Sequence, residues 1–167
     1  MKMAKIQPTG NELLAGIIED TDSPMAAGVL KDMGYCVETA APLPDSEEAI
    51  SSAIRNAAEK SFSLLVLIGG SGGGHAFDPA LARDCTHGAM DSLLEPKSAV
   101  SLYGKNGHLW SRLVCGFYRK MLVINLPGPF DEAGAAIRAF SEAGSGASCE
   151  EISHAMAEAV KQTYFRR

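Results

Sequence analysis

Short apolar runs alternate along this chain with stretches whose apolar residues recur every three or four positions. The first kind fits buried strands and the second fits one-faced helices. Their alternation predicts an α/β fold with a largely parallel sheet. Met3 to Gln7 reads as a first strand, ended by Pro8-Thr9-Gly10. After a loop, Ser23 reads as an N-cap with Pro24 as the first helical residue. Met25, Ala26, Val29, Leu30 and Met33 keep helical spacing up to Gly34. Tyr35 to Ala41 is the second strand. Asp45 and Glu48 read as a capping box for a helix to about Lys60.

Phe62 to Ile68 is the clearest strand, apolar at nearly every position, as a strand covered on both faces should be. It runs into Gly69-Gly70-Ser71-Gly72-Gly73-Gly74. Asp78-Pro79 then opens a helix reaching about Leu94. Ala99 to Tyr103 reads as a strand. Gly107 to Gly116 is ambiguous and compatible with a helix. Lys120 to Leu126 is a strand that ends in Pro127-Gly128-Pro129. Two helices close the chain, about Asp131–Glu142 and Cys149–Phe165, the second with Ser148 and Glu151 as a capping box.

Length and composition narrow the class. The 167 residues fit one domain, at the usual ~150 residues each. With 46% hydrophobic and 21% charged residues, the chain resembles an ordinary globular protein and not a disordered one. No apolar run approaches the ~20 residues of a membrane helix, and Met1 to Pro8 lacks a signal-peptide core. The expectation is a soluble cytoplasmic protein. Cys36, Cys85, Cys115 and Cys149 form no C-x-x-C pair, so they read as reduced thiols, three of them inside apolar segments, behaving as small apolar side chains.

A net charge of −5 argues against a general nucleic-acid binder. The charge is uneven. Residues 1–96 carry 6 basic and 14 acidic side chains, and residues 97–167 carry 9 and 6. No acid falls between Pro96 and Phe130, where Lys97, Lys105, Arg112, Arg119 and Lys120 lie. Such a stretch suits a small anionic ligand, and a solvated basic face or an oligomer contact accounts for it as well.

The glycine run is the main candidate site. Ligands of open α/β sheets sit at the carboxyl ends of strands. Glycines there let the backbone approach a ligand and direct N–H groups at it. A P-loop requires a Lys after its last glycine, and a Rossmann fingerprint requires glycine where His75 or Phe77 stands; both fail. Gly69-Gly70-Ser71-Gly72-Gly73 matches the nucleophile elbow G-x-S-x-G, but the next helix is delayed to Pro79. Asp78 suits either an Mg²⁺-binding carboxylate or a plain helix cap. His75 stands in the same loop. His87, His108 and His154 have no metal-ligand spacing.

Four separated segments resemble one family in order. Thr9-Gly10-Asn11-Glu12-Leu13-Leu14, with Gly16, Asp20 and Asp22-Ser23-Pro24, resemble the "TGDEL…G…DTNSP" opening of the molybdopterin-binding domain. That domain occurs in MoaB, MogA, MoeA and CinA proteins. Leu65 to Gly72 resembles its "GG-x-S/G" loop. Ser111-Arg112 with Gly116 is similar to its "SR…G" step, and Val123 to Pro129 to its "LPG-x-P" turn. Together these pieces cover about residues 3 to 140.

The resemblance implies a three-layer α/β/α domain, often a homotrimer, that binds molybdopterin and either adenylylates it with ATP and Mg²⁺ or assists molybdate insertion. Thr9, Asn11 and Glu12 would line the first loop. Asp20 and Asp22 would serve the metal and nucleotide side. Gly69, Gly70, Ser71 and Gly72, extended by Gly73 and Gly74, would cradle phosphate. Asp78 would be the metal-binding acid beyond the loop, and Arg112 would neutralise charge. Pro127 and Gly128 would form the opposite wall. Phosphoryl chemistry of this kind needs mainly positioning and charge neutralisation. Two departures stand out: Asn11 replaces the family's usual Asp, and the loop GGSGGGHAFD is one residue longer before its acid. A non-catalytic pterin- or nucleotide-binding carrier or sensor is the alternative, as is nucleotide pyrophosphate hydrolysis of the CinA type.

Overall fold

A computed structural model describes residues 1–70, 85–105, 107 and 109–165. Its strands are β1 (Lys2–Pro8), β2 (Tyr35–Thr39), β3 (Leu64–Ile68), β4 (Lys97–Tyr103), β5 (Leu109–Tyr118) and β6 (Met121–Leu126). Its helices are α1 (Asn11–Leu14), α2 (Asp22–Asp32), α3 (Glu47–Glu59), α4 (Cys85–Leu93), α5 (Phe130–Ala143) and α6 (Cys149–Phe165). The strands form one sheet in the order β2-β1-β3-β6-β5-β4. The pairs β1–β2, β1–β3 and β3–β6 are parallel, while β5 runs antiparallel to both neighbours. Only β5 is therefore reversed in a sheet otherwise running one way.

Helices cover both faces, as expected of a parallel sheet. Leu64, Val66 and Ile68 of β3 face a core shared with Leu30 of α2, Ile137 of α5 and Met156 of α6. Leu65 and Leu67 face the opposite core with Ile50 and Ile54 of α3 and Met90 of α4. All five residues of β3 are buried, which explains its unbroken apolar sequence. Each such side chain contributes roughly 1.5–3 kcal/mol by leaving water. The result is the three-layer α/β/α arrangement. No helix among the described residues is long and apolar enough to cross a membrane. Cys36, Cys115 and Cys149 are free thiols; Cys36 is exposed and Cys115 buried.

Three local expectations change. Ser23 does not cap α2: the helix begins at Asp22, and the Oδ1 of Asp20 accepts from the Ser23 N–H at 2.9 Å. The carboxylate three residues upstream thus replaces the expected hydroxyl. Asp45 does not cap α3 either. Ser46 is the N-cap, its Oγ accepting from the Ala49 N–H at 3.3 Å. The helix compatible with Gly107 to Gly116 is not found: Leu109 to Gly116 make up most of β5. Leu113 and Cys115 alternate with Val114 between the two cores, and pairing on both sides holds the strand extended. A Cβ at Gly116 would lie 2.8 Å from that of Lys97, so glycine is required where β4 and β5 cross. The Ser148–Glu151 box is present, with both reciprocal bonds at 2.7 and 3.2 Å. The expected helix start at Asp78-Pro79 lies outside the described residues.

Candidate functional site at the strand ends

Three parallel strands end side by side. Pro8 of β1 pairs with Ile68 of β3, and Ile68 with Leu126 of β6. The chain leaves the sheet at Thr9, Gly69 and Pro127, which places these residues on one rim. The Thr9 N–H and Oγ1 both donate to the Ile68 carbonyl, at 2.8 and 3.1 Å. The Gly69 N–H donates to the Leu126 carbonyl at 3.1 Å, and Thr86 Oγ1 donates to the Gly69 carbonyl at 3.3 Å. Both polar backbone atoms of Gly69 are thus committed to the scaffold.

Gly69 has φ +97°, and a Cβ there would come within 2.8 Å of the Thr9 carbonyl oxygen. Only glycine satisfies both conditions. Gly70 follows with φ +65° and is exposed. Across the rim Pro127 is buried and Gly128 exposed, and a Cβ on Gly128 would meet nothing within 4 Å. The rim is therefore a rigid junction with two exposed, side-chain-free positions. That fits a ligand approached by backbone. Ser71, Gly72, Gly73, Gly74, His75 and Asp78 lie outside the described residues.

The loop after β1 is fastened from the side. The Gly10 N–H donates to the Leu43 carbonyl at 2.9 Å. Asn11 and Asp45 bond reciprocally: the Asp45 N–H donates to Asn11 Oδ1 at 3.1 Å, and the Asn11 N–H to Asp45 Oδ2 at 3.2 Å. An aspartate at position 11 would set a second carboxylate beside Asp45, which gives Asn11 a physical reason. Glu12 is exposed on the same loop.

The crossover from β1 to β2 starts α2 at the same edge of the sheet. Asp20 is occupied by its bond to Ser23. Asp22 Oδ1 is buried without a hydrogen-bond partner among the described residues. Burial, aided by the Asp20 carboxylate, pushes the Asp22 carboxyl up to about 6. Such a group titrates near neutrality and keeps an oxygen free for a cation or donor. No described hydrogen bond joins Asp20 or Asp22 to the Thr9–Gly69 junction. Among the described residues no three His, Cys, Asp or Glu side chains group to hold a metal.

Arg112 makes a bidentate ion pair with Asp91, at 2.7 and 3.0 Å. The guanidinium beside Asp91 holds that carboxyl below its ordinary value against the opposing effect of burial. A ligand phosphate at Arg112 would compete with this carboxylate. Beneath it lies a network not expected from sequence. Asn125 is fully buried in β6; its Nδ2 donates to the Arg112 carbonyl at 2.9 Å and its Oδ1 accepts from the Val114 N–H at 2.6 Å. His87 Nε2 lies 3.0 Å from the same carbonyl. Burial, with the Arg112 charge, pushes His87 down to about 4, so the ring is neutral at pH 7. The signal was a single Asn inside the apolar run VINL, since a buried amide demands partners.

Comparison with known proteins bears on the family and the fold. The family described as "Probable molybdopterin binding domain" matches residues 5–143. A CinA-like protein of Fervidobacterium nodosum is 39% identical over 72 residues, 43% of this chain but 17% of the relative. The matched stretch thus spans about a sixth of that relative's length. The CinA structure from Thermoplasma acidophilum superposes with a TM-score of 0.64 at 22% identity, covering 84% of this chain and 96% of that one. MoaB from Thermus thermophilus gives 0.62 at 20%, covering 96% and 98%. The chain belongs to the molybdopterin-binding domain family.

Proposed function

We propose that this member of the molybdopterin-binding domain family binds molybdopterin on the rim at Thr9, Gly69 and Pro127, in molybdenum cofactor biosynthesis. The observation that carries the reading is the registered ending of β1, β3 and β6 around a glycine that accepts no side chain. In this reading Gly69 holds the turn at the strand end, and Gly70, Ser71, Gly72, Gly73 and Gly74 present backbone to the pterin phosphate. Thr9, Asn11 and Glu12 line the first loop, and Gly128 leaves room on the opposite wall. Asp20, Asp22 and Asp78 face the metal and nucleotide. Mg-ATP, when bound, supplies the adenylyl group and the charge neutralisation that phosphoryl transfer requires. The chain's own contribution is to fix the anion and exclude bulk at the rim. In this reading the chain assembles as a homo-oligomer, a trimer being the expected form.

The test is calorimetric titration with molybdopterin, with and without Mg-ATP, followed by assay for adenylylated pterin and pyrophosphate. Binding with product supports the transferase. Binding without product supports a carrier or sensor. Absence of binding at micromolar pterin overturns the reading. The 39% identity to a CinA-like protein favours a second reading, pyrophosphate hydrolysis of a nucleotide at the same rim. Nucleotide cleavage with Mg²⁺ in the absence of pterin would select it.

A further inference from the structure

A pair of thiols lies away from the strand-end rim, on the face covered by α6. Ser98 of β4 and Cys115 of β5 are directly paired across the antiparallel ladder, so their side chains share one face. Cys149 and Ser153 stand four residues apart on α6 and also share a face. The two sets meet. Ser98 Oγ lies 2.8 Å from Ser153 Oγ, and Cys149 packs against the core cluster that contains Cys115. Ser98 and Cys115 on the sheet thus face Ser153 and Cys149 on the helix.

The two sulfurs differ in access. Cys115 is fully buried. Cys149 is half-buried and lines a cavity of about 470 Å³ with Pro96, Lys97, Ser98 and Phe117. Burial pushes the Cys115 thiol up, so it is inert toward solutes by itself. An accessible thiol beside a buried one is the arrangement in which the first is oxidised and the second resolves it.

We propose that Cys149 and Cys115 form a dithiol oxidised by hydroperoxides to an intrachain disulfide. The Cys149 thiolate attacks one peroxide oxygen. The O–O bond breaks, the leaving oxygen takes a proton to give water or an alcohol, and Cys149 becomes a sulfenic acid. The Cys115 sulfur then attacks the Cys149 sulfur. The S–O bond breaks, and the departing hydroxide takes the Cys115 proton as water. Two thiols lose two electrons and the peroxide gains them. The bond would tie β5 to the first turn of α6.

The test treats the reduced chain with hydrogen peroxide and maps the peptides, with exposed Cys36 as an internal reference for dose. The expected result is loss of the mass of two hydrogens, a Cys115–Cys149 peptide that dithiothreitol cleaves, and a higher melting temperature. In Cys149→Ser, Cys115 stays a thiol at the same dose. In Cys115→Ala, Cys149 stalls as a sulfenic acid, and its dimedone adduct rises about tenfold over wild type. Cys149→Ser keeps the proposal testable if the buried variant does not fold. Cys149 driven to sulfinic acid in wild type with Cys115 still free would overturn it. So would both thiols surviving a dose that oxidises Cys36.

Discussion

Strands β1, β3 and β6 carry their committed polar groups mainly at or near their carboxyl ends, whereas the β4–β5 hairpin carries them along its length. In the parallel half Leu64 to Ile68 are all buried, and polarity begins at Thr9 and Gly69. In the hairpin Ser98, Arg112 and the backbone of Val114 are each bonded by a side chain from a neighbouring element. The parallel half is held by apolar burial and leaves Gly70 and Gly128 exposed at the rim. The hairpin is held by specific polar partners, which occupy the groups a ligand would need.

Leu65→Ala should cost about 3 kcal/mol in urea unfolding, while Leu102→Ala on half-buried β4 should cost about 1. Equal costs would mean the two halves are held alike. Asn125→Ala leaves the Val114 N–H and one bond of the Arg112 carbonyl unmade in the interior. We expect a loss of about 2 kcal/mol by the same measurement, against nearly none for an exposed Asn.

Titration separates the regions by sign. His87 is depressed from 6.5 to about 4, so the unfolded chain binds the proton first, and its contribution is lost as pH falls from 6.5 toward 4. Asp22 is raised from 3.8 to about 6, so the folded chain binds the proton first, and stability is gained as pH falls from 6 toward 4. The two oppose each other in the wild type. Melting temperatures at pH 4.5 and 7 should diverge more in Asp22→Asn and less in His87→Gln. The His87 effect should reach about 2 kcal/mol and the half-exposed Asp22 effect less than about 1.

Gly69→Ala must hold an alanine at φ +97° against the Thr9 carbonyl, at a cost of roughly 1–2 kcal/mol. Pterin affinity should fall more than stability does. Arg112→Ala removes a partly exposed pair and should cost under about 1 kcal/mol.

Strands β1, β2, β3, β4 and β6, helices α2, α3, α5 and α6, and the strand ends at the rim were legible because each rests on local pattern. An unbroken apolar run marks β3, and Pro or Gly marks the ends of β1, β3 and β6. β5 was not legible, because Ser111 and Arg112 interrupt its alternation and only pairing with β4 and β6 keeps it extended. The caps of α2 and α3 were misplaced by a few residues at most, since several side chains near each start can accept a bond. The Asn11–Asp45, His87–Arg112 and Cys115–Cys149 meetings join residues 25 to 34 apart or on different elements, and no local spacing encodes them.

Backbone amide shifts during titration with molybdopterin test the central claim most directly. Gly10, Gly69, Gly70 and Gly128 should move together, while Val100 and Tyr118 of the hairpin stay fixed. Shifts centred on β4 and β5, with Gly69 and Gly70 unmoved at saturation, would contradict it.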